Sequence, residues 1–297
     1  MEDKTRGHLL ALFTIGIWGT TFISTKVLLG SFKAVEVMLI RFIIGYIVLF
    51  IMHPGILKLK NRRQEPLFAL AGACGVTLYF LFENFALTYT YASNVSVIIS
   101  AAPLFTALLA SIFIKTESFG KNFFVGFALA MLGIAIISFN GSAMHLNPLG
   151  DVLALLGALS WAFYSILLAK LGKYGYNKQL MSKRIFFYGI IFMIPAAVFF
   201  KARFDFGLIR QPQLLGNFLF LGILASAVCY VTWNKSLDIL GPVKTSVYIY
   251  LQPAVTVVVS IIVLKENITP LAFLGMGFTL LGLIISQMNF NRKRSKA

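Results

Sequence analysis

The feature that most constrains this chain is a recurrence of long apolar runs, at roughly 9–29, 35–52, 67–88, 93–114, 123–139, 150–169, 185–200, 214–237, 245–264 and 271–288. A bilayer core needs about 20 apolar residues per spanning helix. Ten such runs with short connections use up nearly all of the 297 residues and leave no room for a sizeable soluble domain. The runs are too long, and alternate too little, to be membrane strands. A helix also meets its backbone hydrogen bonds within itself, as lipid demands. The expected fold is therefore all-α integral membrane, with ten transmembrane helices. Composition agrees: 59% of residues are hydrophobic and only 12% charged, with a mean hydropathy of +0.85, far from a soluble domain.

The net charge of +16 has its own explanation. A nucleic-acid surface needs cations clustered on one folded face, interleaved with aromatics, whereas the cations here sit in the connections, so no nucleic-acid partner is expected. With the N-terminus inside, 17 of the 26 Lys and Arg fall in cytoplasmic segments and 6 in outer ones, while Arg41, Arg184 and Lys235 lie within helices. Cytoplasmic loops carry the excess of Lys and Arg, so both termini are expected to be cytoplasmic, in the cell's inner (plasma) membrane, with residues 291–297 as a basic tail. Lys4 and Arg6 before an apolar run resemble the start of a secretory signal. That run continues to about Leu29 without a small-x-small cleavage site and reads as a retained first helix. Cys74 and Cys229 lie inside apolar runs, as small core hydrophobes do. The three histidines, His8, His53 and His145, have no metal-ligand spacing, and no metal or other cofactor is expected.

Transporter halves often retain an internal repeat. A shift of 143 aligns Leu10-Ala11-Leu12 with Leu153-Ala154-Leu155, Trp18 with Trp161 and Arg41 with Arg184. A shift of 150 aligns Asn84 with Asn234, Ser96 with Ser246, Pro103 with Pro253, Thr106 with Thr256 and Lys115 with Lys265. A shift of 149 aligns Gly126 with Gly275 and Gly133 with Gly282. Two Leu-rich helices can share a Leu-Ala-Leu by chance, but matched Trp, Arg, Asn and Pro at steady offsets are harder to obtain that way. Five spans in the first half, an odd number, force the second half to be inverted. The expected units are residues 1–140 and 150–290, joined near 141–148.

At this point the residues resemble the drug/metabolite transporter superfamily in its ten-helix EamA form. The matching features are Trp18-Gly19-x-x-Phe22, Arg41-Phe42, and the stretch from Ala86-Leu87 through Ala92-Ser93 to Pro103. In the second half they are Leu240-Gly241, Tyr250-Leu251-Gln252-Pro253, Lys265-Glu266 and the glycines at 275 and 282. The similarity spans the whole chain. It implies two inverted five-helix repeats around a central cavity lined mainly by helices 1, 3, 4, 6, 8 and 9. Members of such a family carry diverse cargo, amino acids among them, so fold alone does not set the substrate. Ala162 stands where the first half has Gly19, which puts a matching close backbone contact there in doubt.

Polar groups at mid-membrane depth mark the candidate cavity. Glu83 is an intramembrane carboxylate, costly enough that it normally faces a cavity or a partner. It could bind a substrate amine, take up a proton, or pair structurally with Lys235. Asn84 and Asn234 can donate and accept hydrogen bonds and suit a polar zwitterion, or serve as glue between helices. Pro103 and Pro253 fall near the middle of helices 4 and 9, where a proline frees a carbonyl and kinks the helix. Ser96, Ser100 and Pro103 share one face by spacing, as do Ser246, Tyr250 and Pro253. Trp18, Tyr79, Phe80, Trp161, Tyr164, Tyr230, Trp233, Tyr248 and Tyr250 could form an aromatic wall, or face lipid. Arg41 and Arg184 read as structural anchors that snorkel or pair, Arg41 with Glu36, and Lys115 with Glu117 and Lys265 with Glu266 as end caps or loop salt bridges.

No phosphate-binding loop and no concentrated catalytic set is present. The expected function is a secondary transporter or facilitator working by alternating access, with the bilayer and a small organic metabolite as partners. The resemblance implies amino acids or related compounds, exported, with proton coupling through Glu83 as an option. The alternatives are a drug, cation or nucleotide-like cargo, and, in other classes, a channel or an integral membrane enzyme. Oligomeric state is not legible in the sequence.

Overall fold

The computed structural model describes residues 2–89, 92–114, 120–138, 147–264 and 270–287, and these contain no strand. The helical segments are α1 (Glu2–Leu29), α2 (Ala34–Met52), α3 (Arg62–Tyr89), α4 in two pieces (Ala92–Ile99 and Ala102–Phe113), and α5 (Lys121–Ser138). The chain continues with α6 (Pro148–Gly172), α7 (Lys178–Phe199), α8 (Pro212–Leu240), α9 (242–264) and α10 (Pro270–Gln287). Six of them, α1, α2, α3, α6, α7 and α8, are long and apolar enough to cross a membrane. A single turn, Phe206–Ile209, sits between α7 and α8.

Local chemistry sets the ends. The Asn177 side chain accepts from the N–H groups of Gln179 and Leu180, which starts α7 about two turns earlier than its apolar run. The Asn147 side chain accepts from Gly150 at the start of α6. Between α8 and α9 the chain reverses through Gly241 alone, at φ +87, a conformation open to glycine at little cost. Glu36 at the start of α2 accepts from the backbone N–H of Lys33 at 2.8 Å and of Arg203 at 2.7 Å. It ties down the loop after α7 and is not the partner of Arg41 that the sequence had suggested, because Arg41 lies about one and a half turns further along α2 and donates to Ser226 instead. Arg184 does pair as an anchor, with Glu65, which also accepts from the Tyr188 hydroxyl. The Lys115, Glu117, Lys265 and Glu266 expectation, the 141–146 junction and the 291–297 tail lie outside the described residues.

The core is largely apolar, and so is much of the surface, as contact with lipid allows. Ile51, Ile56, Val198 and Phe199 are among the most exposed side chains, while Thr14, Arg41, Glu83, Asn84, Ser226 and Asn234 are buried. Small residues bring helices together, as packing in lipid requires. A Cβ on Gly126 would lie 2.5 Å from the Gly282 carbonyl oxygen, and one on Gly133 would lie 2.5 Å from that of Gly275. So α5 and α10 run antiparallel with backbones touching at two reciprocal points. The same reciprocity holds elsewhere: Gly72 of α3 lies against α7 at Ile185 and Gly189, and Gly222 of α8 against α2 at Arg41 and Ile44. On α1, Gly19 lies against Val255 and Gln252 of α9.

Two stretches of π-helix interrupt long helices, Ala73–Leu78 in α3 and Phe220–Val228 in α8. A π-turn adds a residue per turn and disturbs the carbonyl ladder, and such bulges cluster at functional sites. Here aromatic donors meet the disturbed carbonyls. The Tyr230 hydroxyl donates to Gly75 O at 2.7 Å, and Trp18 Nε1 donates to Ala225 O at 2.8 Å. Residues 75 and 225 stand 150 apart, the offset that also relates Asn84 to Asn234.

The two prolines were expected to kink helix interiors, and the structure places them otherwise. Ser100 and Ala101 leave the helix, and Pro103 is the second residue of the new piece, where its missing N–H costs nothing. Pro253 likewise opens an α-helical piece after a 3₁₀ stretch, Val247–Leu251. The N–H of Gln252 goes to Ile249 O, the carbonyl that a non-proline residue at 253 would have taken.

Candidate functional site

Where α1, α2, α3, α4, α6 and α9 converge, the helices leave a partly open pocket between them, a position in which small-molecule sites occur. Its walls are Trp18, Thr21, Arg41, Tyr79, Phe80, Glu83, Ile99, Trp161, Ile249 and Gln252. The two tryptophans meet edge to face, ring centroids 5.2 Å apart, and Tyr79 lies 4.9 Å from Trp161. Trp233 backs both, 5.1 Å from Trp18. Edge-to-face rings of this kind are mutually attractive and give the pocket a stiff aromatic wall.

Two opposite charges face this wall. Arg41 and Glu83 are each only 2% exposed. Arg41 Nε donates to Ser226 Oγ at 2.8 Å, and the guanidinium lies 4.3 Å from the Phe80 ring centroid, close enough for a cation–π contact. Glu83, Tyr79 and Arg41 line the same pocket, yet Glu83 and Arg41 form no direct ion pair. Among the described residues the ion pairs are Lys178–Asp238 and Arg184–Glu65. One carboxylate oxygen, Glu83 Oε2, has no hydrogen-bond partner, nor does Trp161 Nε1. Both residues line the pocket.

Of the residues singled out by sequence, Trp18, Tyr79, Glu83 and Trp161 line the pocket, together with Phe80 of the aromatic set. The others stand behind or away from it. Asn84 donates to Ala34 O at 3.2 Å and holds α3 to α2. Asn234 donates to Ser182 Oγ at 2.9 Å and accepts from the Tyr164 hydroxyl at 3.3 Å, joining α6, α7 and α8. Tyr230 is committed to Gly75. Ser100 donates to Ser96 O and Ser246 to Val243 O, local bonds that turn both hydroxyls onto their own backbone. Ser96 Oγ and the Tyr250 hydroxyl are buried without a partner, and neither residue lines the pocket. Pro103 and Pro253 begin helical pieces, and Lys235 is half-buried, outside the lining and unpaired with Glu83. Helix α8 therefore supports the site instead of lining it, and α2 contributes in its place through Arg41.

Sequence reasoning missed Arg41, Thr21, Ile99, Ile249 and Gln252 as lining residues. A signal existed for two of them, since Ile99 and Ile249 are 150 apart and face the pocket together. Gln252 sits inside a motif already noted. The contact doubted at Ala162 is firm at its counterpart: the Thr256 hydroxyl donates to Gly19 O at 2.7 Å.

Comparison with known proteins bears on the chain as a whole. The sequence profile of the EamA-like transporter family matches residues 5–139 and 148–288. An uncharacterized transporter of Archaeoglobus fulgidus is 28% identical over 96% of this chain and 98% of its own length. A protein of Streptantibioticus cattleyicolor, called a probable terminal-alkyne amino-acid exporter, is 24% identical over 95% and 94%. The uncharacterized inner membrane transporter YedA of Escherichia coli is 27% identical over 94% and 89%. A solved crystal structure with 15% sequence identity superposes with a TM-score of 0.76 over 95% of this chain and 96% of that one, so the fold is shared.

Proposed function

The chain belongs to the EamA-like transporter family and is a multi-pass membrane transporter of the drug/metabolite superfamily; from that premise we propose that it moves amino acids or related small metabolites outward across the inner membrane through the Arg41–Glu83 pocket. The observation that carries the proposal is the pocket itself: an aromatic site among helices of membrane-spanning length, with two buried, opposite charges that form no ion pair with each other. Intramembrane ionisable groups of this kind mark substrate or ion pathways. The direction and the substrate class draw support from the amino-acid exporter among the relatives, and the location from the inner membrane transporter.

The mechanism belongs to the same proposal: ten spans in two inverted five-helix halves, residues 1–140 and 150–290, rocking about the pocket. Three observations support it. The family profile matches two separate stretches of similar length. The π-helices of α3 and α8, and the proline breaks of α4 and α9, recur at the 150-residue offset. The Gly126–Gly282 and Gly133–Gly275 contacts are reciprocal, as a two-fold axis makes them. Trp18 on α1 reaching Ala225 on α8, and Tyr230 on α8 reaching Gly75 on α3, would be the links that change when the halves move. Both termini are cytoplasmic in this arrangement, and Glu83 is the group placed to carry a proton. The test is counterflow: purified protein in liposomes loaded with unlabelled amino acid should concentrate the labelled one. Equal accumulation in protein-free liposomes across a panel of amino acids would remove the proposal.

A further inference from the structure

Taking the pocket as the substrate site, we infer that it is built for a zwitterion with an uncharged side chain, with Arg41 taking the carboxylate and Glu83 the ammonium. The assignment of Arg41 to the ligand rests on its unused donors. Nε is bound to Ser226, but neither Nη group makes a hydrogen bond with a described residue, although Arg41 is buried and lines the pocket. A guanidinium fork with two free N–H groups matches a carboxylate in bidentate fashion. Trp161 Nε1, also unpartnered, adds a third donor. At Glu83, which lines the same pocket, Oε2 is an open acceptor.

Charge accounting selects the ligand. With both side chains ionised, the pocket is neutral overall but strongly dipolar. A monovalent cation or anion would satisfy one charge and leave the other buried without a counter-charge, which is costly in a low-dielectric site. A zwitterion satisfies both and adds no net charge. The rest of the lining is the rings of Trp18, Tyr79, Phe80 and Trp161, the aliphatic surface of Ile99 and Ile249, and two neutral polar groups, Thr21 and Gln252, so a charged side chain on the ligand would find no further counter-charge there. Discrimination of this type works by rejecting the wrong ligand as much as by holding the right one.

The chain's three tryptophans are Trp18, Trp161 and Trp233, which form one cluster at this pocket, so tryptophan fluorescence, excited selectively over tyrosine, reports on that cluster. The experiment titrates the purified full-length protein with L-leucine, with isopentylamine, which lacks the carboxylate, and with 4-methylpentanoate, which lacks the ammonium. Leucine should change the emission and bind roughly tenfold or more tightly than either half-ligand, the worth of one charge-assisted hydrogen bond or more. Arg41→Gln should erase the advantage over the amine, and Glu83→Gln the advantage over the acid. If Arg41→Gln fails to fold, Arg41→Lys keeps the charge without the fork and should lose most of the same advantage. Equal binding of leucine and either half-ligand by the wild type, or preferences unchanged in the variants, would overturn the inference, as would no response to leucine. These readings need no transport, so a failed counterflow assay with intact leucine selectivity would strike the function and leave the zwitterion site standing.

Discussion

Replacing Gly133 by alanine tests the packing that joins α5 to α10. The new methyl would meet Gly275 O at 2.5 Å and Thr279 N at 2.6 Å, both backbone atoms that cannot rotate aside. Ordinary contact would require α5 and α10 to part by roughly 1 Å, and a gap of that order forfeits a quarter to a half of the local dispersion energy. Overpacking of this type costs about 1–3 kcal/mol. Gly277 on α10 is the matched control, because a Cβ there meets nothing within 4 Å. Its replacement by alanine should change stability by less than about 0.5 kcal/mol or raise it slightly through helix propensity. Gly126→Ala strains the reciprocal point, and once the helices have parted for one methyl the second costs less, so the double variant should be less destabilised than the two singles summed. Thermal unfolding in detergent, followed by helical circular dichroism, ranks the variants. If Gly277→Ala is as damaging as Gly133→Ala, or if the double variant is fully additive, the backbone contact does not hold these helices as described.

Tyr230→Phe removes the donor to Gly75 O inside the π-helix of α3 and should lower stability by about 1–3 kcal/mol, the cost of stranding a buried acceptor; a melting curve unchanged from wild type would show that the bond contributes nothing. Single cysteines introduced near position 4 and near position 296, in a chain with Cys74 and Cys229 replaced by alanine, should react with a membrane-impermeant maleimide only after the cells are opened. Reaction in intact cells would reverse the assigned orientation. For proton coupling through Glu83, an imposed pH gradient should accelerate amino-acid movement in wild-type proteoliposomes and leave Glu83→Gln unaffected, whereas a wild type indifferent to the gradient would remove the proton role.

What could be read from the sequence followed from lipid as a solvent. Apolar length located the helices, and depth within them located Glu83, Trp18, Tyr79 and Trp161 at the pocket. What could not be read was rotation about the helix axis. Glu83 and Asn84 are neighbours, and consecutive helical residues point about 100° apart, so one facing the pocket sends the other toward α2, where Asn84 holds Ala34 O. The i, i+4, i+7 face of Ser96, Ser100 and Pro103 presumed an unbroken helix. The break at Ser100 and Ala101, and the 3₁₀ stretch before Gln252, rotate that pattern and present Ile99 and Ile249 instead. The π-helices have no signature in composition, yet each adds a residue per turn and so changes what its helix presents beyond the bulge. Arg41 was misjudged by distance: it is eight residues into α2, and what decides its role is the ring of Phe80 and the hydroxyl of Ser226, both from other helices. Long-range contacts of that kind leave no local pattern to read.

The most direct test of the central claim is amino-acid counterflow in proteoliposomes, comparing wild type with Glu83→Gln at equal incorporation and at substrate below saturation. The account predicts robust exchange by the wild type and a loss of at least roughly tenfold in the variant, the factor that about 1.4 kcal/mol of ligand binding represents. Exchange by Glu83→Gln at the wild-type rate would contradict it, because the carboxylate facing the pocket would then have no part in holding the cargo.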